Sequence, residues 1–168
     1  LQKLRHMDAC FKESQRLRPV FLAYFRRQAL ADITLQDGFV IKEGIKIAMD
    51  GRTMLLNKNS YPDPLRWDPC RFIRMRESGE GNKPFLHIGF GHGIHSCPGC
   101  FFGAHELKIA FSHILLKYDW KLPEDVKNMP NMTAGSHYLL PPDTRFLVTR
   151  RQEEELDVEA LECQWEGI

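Results

Sequence analysis

The stretch Phe90-Gly91-His92-Gly93-Ile94-His95-Ser96-Cys97-Pro98-Gly99 places one cysteine at the mouth of a glycine-hinged loop that runs straight into a helical pattern. Gly91, Gly93 and Gly99 permit backbone angles and close approaches that a side chain would forbid, so a flat group can lie against the main chain. Pro98 suits a first helical turn, where its missing N–H costs nothing. Cys97 is thereby set at a helix N-terminus, whose dipole and free N–H groups favour an anionic sulfur. A blander reading of the same residues is a glycine-rich turn with a cysteine serving as a small buried hydrophobe.

Working outward from the loop, Phe101, Leu107, Phe111, Ile114, Leu115 and Tyr118 recur at amphipathic helical spacing and predict a long helix ending near Asp119. At the other end, Leu4, Met7 and Phe11 predict a helix that stops at Arg18, because Pro19 disfavours helix in the residue before it. Between Val20 and Met49 the runs Ile33-Thr34-Leu35, Phe39-Val40-Ile41 and Ile45-Lys46-Ile47, punctuated by Asp37-Gly38 and Glu43-Gly44, predict a small antiparallel sheet. A short helix over 51–59 follows, then an extended, turning segment around Tyr61-Pro62-Asp63-Pro64 and Asp68-Pro69, and a surface loop over 77–83. Tyr138-Leu139-Leu140 and Arg145-Phe146-Leu147-Val148 read as a hairpin turning at Pro141-Pro142-Asp143. The fold class is therefore mainly α with small antiparallel β-sheets, in one domain over 1–151 and an acidic tail over 152–168.

A chain of 168 residues with 43% hydrophobic content is long enough for one domain-sized core. The formal charge of +1 leaves no basic stripe of the kind nucleic acid requires, and Arg26-Arg27 and Arg150-Arg151 are isolated pairs. Five cysteines make an odd set that is too sparse for a secreted disulfide scaffold, which points to a reducing, intracellular compartment. No apolar run reaches the length of a membrane span.

Three motifs arrive in order: Glu13-Ser14-Gln15-Arg16 on the first helix, Pro69-Cys70-Arg71-Phe72, and the cysteine loop. On these residues the chain resembles the cytochrome P-450 family. Its haem signature, Phe-x-x-Gly-x-Arg/His-x-Cys-x-Gly, falls on Phe90, Gly93, His95, Cys97 and Gly99, and its Glu-x-x-Arg and Pro-x-Arg-Phe motifs on Glu13, Arg16 and Arg71. The resemblance implies the C-terminal, haem-binding portion of that fold, with the N-terminal part absent. It implies a haem-thiolate monooxygenase, with Cys97 as the axial ligand of the haem iron and Gly91 admitting the cofactor. Phe90 would pack beside the sulfur, and His95 and Arg27 would meet the propionates, although Arg26 could replace Arg27. Glu13, Arg16 and Arg71 would form a buried bracing network. A lone Glu–Arg pair three apart contributes only a few tenths of a kcal/mol, but a carboxylate accepting from two guanidinium forks satisfies charges that are expensive to bury singly.

The resemblance further implies an NADPH-dependent reductase as electron donor, a lipophilic small-molecule substrate met by segments 19–25 and 136–140, and similarity to fungal members of secondary metabolism. Full-length relatives would sit on the endoplasmic reticulum through an N-terminal anchor that this chain lacks. The chain departs from the pattern at Cys100, where many fungal-type members carry Arg, and it contains no Ala/Gly-Gly-x-Asp/Glu-Thr oxygen-activation motif. No oxygen-activating residue is therefore assigned, and the expectation is that these residues alone do not hydroxylate. Two rival readings rest on the Cys97-Pro98-Gly99-Cys100 spacing: a thiol-disulfide oxidoreductase, which lacks the βαβ context, and a structural zinc site with His92, His95 or His105, which lacks a second ligand pair.

Overall fold

A computed structural model describes residues 3–82, 87–126 and 132–152. The first helix, α1, spans Arg5–Leu17, with Asp8 in its first turn and Arg16 in its last, the charge order that its dipole favours. Its buried face is not the apolar stripe that the periodicity suggested. Ala9, Glu13 and Arg16 are the buried residues, spaced four and three apart on one side of the helix.

Beyond α1 the chain forms two nested antiparallel pairs. Strands β1 (Ala23–Gln28) and β4 (Lys46–Asp50) pair on the outside, and β2 (Ile33–Thr34) and β3 (Val40–Ile41) pair within. The turns fall where Asp37-Gly38 and Glu43-Gly44 predicted them, and both glycines sit at positive φ, +84° and +81°. The β1–β4 register shifts between Tyr24 and Arg27, a bulge at which Phe25 takes φ +50°. Helix α2 (Gly51–Leu55) is shorter than expected and opens on an Asp50 cap, whose carboxylate accepts from the N–H groups of Arg52 at 2.9 Å and Thr53 at 3.1 Å. Helix α3 (Arg71–Glu77) follows the proline-rich segment and packs on α1.

Helix α4 spans Cys100–Lys117, two residues short of the predicted end, because Tyr118–Lys121 leave it as strand β5. The remaining strands correct the expected hairpin. Strand β7 (His137–Leu139) pairs with β6 (Met132–Ala134), and β8 (Leu147–Arg150) pairs with β5. The physical reason lies in the turns. A two-residue hairpin turn needs positive φ, which Gly135 supplies at +57°, whereas Pro141-Pro142 is fixed near −65° and cannot. Helices hold a minority of the described residues, so the mainly α description is not established, although the small antiparallel sheets are present. The acidic run from Glu153 onward lies outside the described residues.

Two clusters make the core. Ala9, Tyr61 and Phe72 join α1 to α3, and Tyr24, Leu55 and Ile88 join β1 and α2 to the segment that leads into the cysteine loop.

Candidate active site

Ile88 is fully buried against Tyr24 and Leu55, and from this anchor the chain turns outward. The Gly91 N–H donates to the Ile88 carbonyl at 2.9 Å with φ +77°, and Gly93, at φ +71°, begins a single 3₁₀ turn over Gly93–His95 that the Ser96 N–H closes at 2.9 Å. The Cys97 N–H then donates to the Phe90 carbonyl at 2.8 Å, which draws the two ends of the loop together. Phe90 and Cys97 are thus neighbours, with His95 one residue removed from the cysteine.

The helix begins later than the sequence suggested. Gly99 is the N-cap and Cys100 the first helical residue, so Pro98 lies in the preceding turn and Cys97 two residues before the cap. Cys97 is free and exposed. Large apolar side chains close to it in sequence are exposed too: Ile94 is 96% exposed, Phe101 78% and Phe102 74%.

The charged centre lies behind this loop. Arg16 grips Glu13 with both edges of its fork, Nε to Oε2 and Nη2 to Oε1 at 2.8 Å each, and Arg71 Nε donates to the same Oε1 at 3.2 Å. The Asp68 N–H adds a further donor to Oε1 at 3.1 Å. The outer edges of the guanidinium groups collect carbonyls from the turning segment: Arg16 Nη1 reaches Leu55 at 3.0 Å and Pro64 at 2.6 Å, while Arg71 reaches Pro62 at 2.5 Å and Asp63 and Arg66 at 3.2 Å each. All three side chains are buried, and the Tyr61 ring lies 5.1 Å from the Arg16 guanidinium carbon. Burial pushes the Tyr61 hydroxyl up to about 12, so it stays protonated.

This network reaches the cysteine loop by two routes. The Leu55 carbonyl that Arg16 holds belongs to the residue packed on Ile88. Gln15, beside Arg16, lies under Gly89, where an added Cβ would stand 2.5 Å from the Gln15 Oε1. Gly89 was not singled out in the sequence, and its only signal there is its place between Ile88 and the haem-signature Phe90. His87 was also missed. It packs edge-on to Phe72, its Nδ1 has no partner among the described residues, and burial with help from Lys12 lowers it to about 4.

Arg27 lies on β1 opposite Ile47, with its Nη1 donating to the Arg26 carbonyl at 2.8 Å; no hydrogen bond joins it to the cysteine loop among the described residues. The bulge separates the two arginines, and Arg26 is the one taken up by the β6–β7 turn, bonded to the Ser136 hydroxyl.

Comparison with known proteins agrees with this arrangement. The family model described as "Cytochrome P450" matches residues 1–148. The chain belongs to the cytochrome P450 family. It is 45% identical to the cytochrome P450 monooxygenase eqxH of Fusarium heterosporum over 96% of this chain and 33% of that protein. It is 42% identical to the cytochrome P450 monooxygenase ausG of Emericella nidulans over 92% of this chain and 30% of that one. Among solved structures, the retinoic acid-bound cyanobacterial CYP120A1 superposes with a TM-score of 0.76 at 26% identity, covering 89% of this chain and 34% of its own. This P450 chain therefore spans about a third of the length of the relatives it matches.

The rival readings find no support in the P450 chain. Among the described residues no three of His, Cys, Asp and Glu cluster as a metal site would need. Every strand pair is antiparallel, so Cys97 and Cys100 lack the parallel βαβ setting of a dithiol oxidoreductase.

Proposed function

We propose that this chain is the haem-binding part of a P450 monooxygenase, with Cys97 as the axial thiolate ligand. The observation that carries the reading is Cys97 itself, an exposed free sulfur on a loop whose sequence neighbours Ile94, Phe101 and Phe102 are also exposed. A sulfur that belongs to no cluster of three or more metal-ligating side chains among the described residues suits an iron whose other positions are filled by a flat macrocycle. The glycine-turned backbone and the exposed apolar rim suit the face of such a ring. When bound, haem supplies the oxygen chemistry, by which one atom of molecular oxygen enters an organic substrate and the other is reduced to water.

The protein's own part is to hold and shield. The Phe90 carbonyl fixes the Cys97 backbone, and with haem bound the Phe90 ring would help keep water from the sulfur. His95 and Arg27 offer N–H donors to the propionates; Arg27 is favoured over Arg26 because Arg26 is already engaged with Ser136. Glu13, Arg16 and Arg71 brace the loop from behind through Leu55 and Ile88. An NADPH-dependent reductase supplies electrons, the substrate is lipophilic, and the location is intracellular, on the endoplasmic reticulum membrane for a full-length relative with an N-terminal anchor.

The test compares two substitutions in a full-length P450 carrying this chain. Cys97→Ala should abolish the strongly red-shifted Soret band of the reduced carbon monoxide complex, since that shift needs sulfur donation to iron. Cys100→Ala should keep it. Equal loss from both, or retention of the band without Cys97, would falsify the assignment.

A further inference from the structure

We infer that Lys108, paired with Asp8 across the seam between α4 and α1, is a positioning residue for Cys97, fixing where the helix that follows the cysteine loop sits along its axis. The inference rests on Cys97 being the axial ligand. Helix α4 is apolar on most sides, yet its one buried residue is a lysine, only 4% exposed. Lysines are almost never buried this deeply without a pair. Here Lys108 Nζ stands 2.7 Å from Asp8 Oδ1, and the rise of a helix puts Lys108 about 12 Å along α4 from Cys100.

The seam has a second point of contact in step with the first. Phe111 meets Phe11 edge-on with ring centroids 5.2 Å apart, so residues three apart on α4 face residues three apart on α1. A ring contact of this kind tolerates sliding, because no single atom pair defines it. An ammonium–carboxylate pair at hydrogen-bond distance, with the lysine end buried, does not, because the charge-assisted bond is lost once donor and acceptor separate. The ion pair therefore sets the register that the rings would leave loose.

Helix α1 is itself immobilised by Glu13 and Arg16, and it touches the cysteine segment on both sides: Gln15 lies under Gly89 before Cys97, and Asp8 holds Lys108 after it. Groups that orient a metal ligand from behind typically change its binding 10–100-fold when lost. Lys12, one turn from Asp8, also faces this seam, and burial together with Arg76 lowers its affinity for a proton. Removing Asp8 leaves two ammonium groups facing each other, whereas removing Lys108 leaves Asp8 beside Lys12.

The experiment uses the full-length, haem-loaded P450 carrying this chain and reads both the carbon monoxide spectrum and thermal melting. Lys108→Met should raise the fraction without the sulfur-ligated band roughly fivefold, the effect of a bias of about 1 kcal/mol. Lys108→Arg, which keeps a charged donor, should restore the band. The double variant Asp8→Asn/Lys108→Met removes both members of the pair and also the like charge that Lys108 sets against Lys12, so it should melt closer to wild type than Lys108→Met and still show the altered spectrum. Phe72→Leu serves as a destabilised control whose spectrum should not change. An unchanged spectrum in both Lys108→Met and the double variant overturns the positioning role, as does a spectral loss that merely tracks melting in Phe72→Leu as well. If the wild-type protein itself lacks the sulfur-ligated band, the ligand assignment fails first and this inference with it.

Discussion

Replacing Arg71 by lysine and by alanine separates two meanings of the buried network, charge balance and geometric bracing. Arg71 directs Nε to Glu13 and its two terminal nitrogens to the carbonyls of Pro62, Asp63 and Arg66. Alanine removes all of these at once. Glu13 Oε1 still keeps Arg16 and the Asp68 N–H, so the carboxylate is not orphaned, but the turning segment loses the group that gathers its carbonyls. The carbonyls of Pro62 and Asp63 lose this donor, and each acceptor left unpaired costs about 1–3 kcal/mol, so the sum is a large share of the roughly 5–15 kcal/mol that typically separates folded from unfolded states.

Lysine restores the charge without the fork. One ammonium on a flexible stem cannot point donors at a carboxylate and three carbonyls arranged around a planar guanidinium. If each bond left unmade costs about 1 kcal/mol, Arg71→Lys should fall about 2 kcal/mol below wild type and above Arg71→Ala. The assay is thermal melting of the full-length holoprotein alongside the rate of haem loss, with Arg71→Ala losing haem fastest. If Arg71→Lys melts with wild type, the network acts by charge alone; if Arg71→Ala does so, there is no bracing at all.

Gly51→Ala should destabilise by about 1–3 kcal/mol, since its Cβ would run into the buried Tyr24 ring, and a melting point equal to wild type would show that the ring can give way. His87, lowered to about 4 in the folded state against an ordinary value near 6.5, binds its proton more readily when unfolded, so stability should fall as pH drops from 6.5 toward 4. His87→Leu should flatten that slope between pH 6.5 and 5, a window above the titration of Asp32 and Asp50, whose hydrogen bonds lower them further; an unchanged slope would assign the acid loss elsewhere. In the paired cysteine substitutions, only Cys97→Ala should remove the sulfur-ligated spectrum.

What the sequence made legible was local chemistry. The turns at Gly38 and Gly44 were readable because each needs one residue at positive φ and glycine supplies it without strain. Glu13, Arg16 and Arg71 could be named because they fall on the Glu-x-x-Arg and Pro-x-Arg-Phe motifs of the family the chain resembles; fork-and-carboxylate chemistry explains why such residues can share a buried centre. Pairing between distant strands was not legible. Tyr118–Lys121 carry a mixed pattern that continues the α4 periodicity, and only the pairing with Leu147–Arg150 makes them a strand. On α1 the two signals diverged for a related reason: apolar periodicity finds the hydrophobic stripe, whereas the deepest positions are the glutamate and arginine that the motif resemblance implied, whose burial depends on carbonyls some 40 to 50 residues away. Gly89 left no trace of its role because its constraint comes from Gln15, far away in the chain.

The same long-range logic explains why α1 organises the cysteine loop although the two are separated by the whole sheet region. Its polar face meets every element that positions Cys97. Arg16 holds the Leu55 carbonyl and so the packing partner of Ile88, Gln15 lies against Gly89, and Asp8 holds Lys108 on the helix that follows the cysteine. A loop rich in glycine is too permissive to define the position of a sulfur by its own backbone preferences. Precision therefore has to come from its flanks, where a buried isoleucine and an ion-paired helix supply what the glycines give up. Directional ion pairs are suited to that task where apolar contacts are not, because close packing resists compression while only an atom-to-atom bond fixes register.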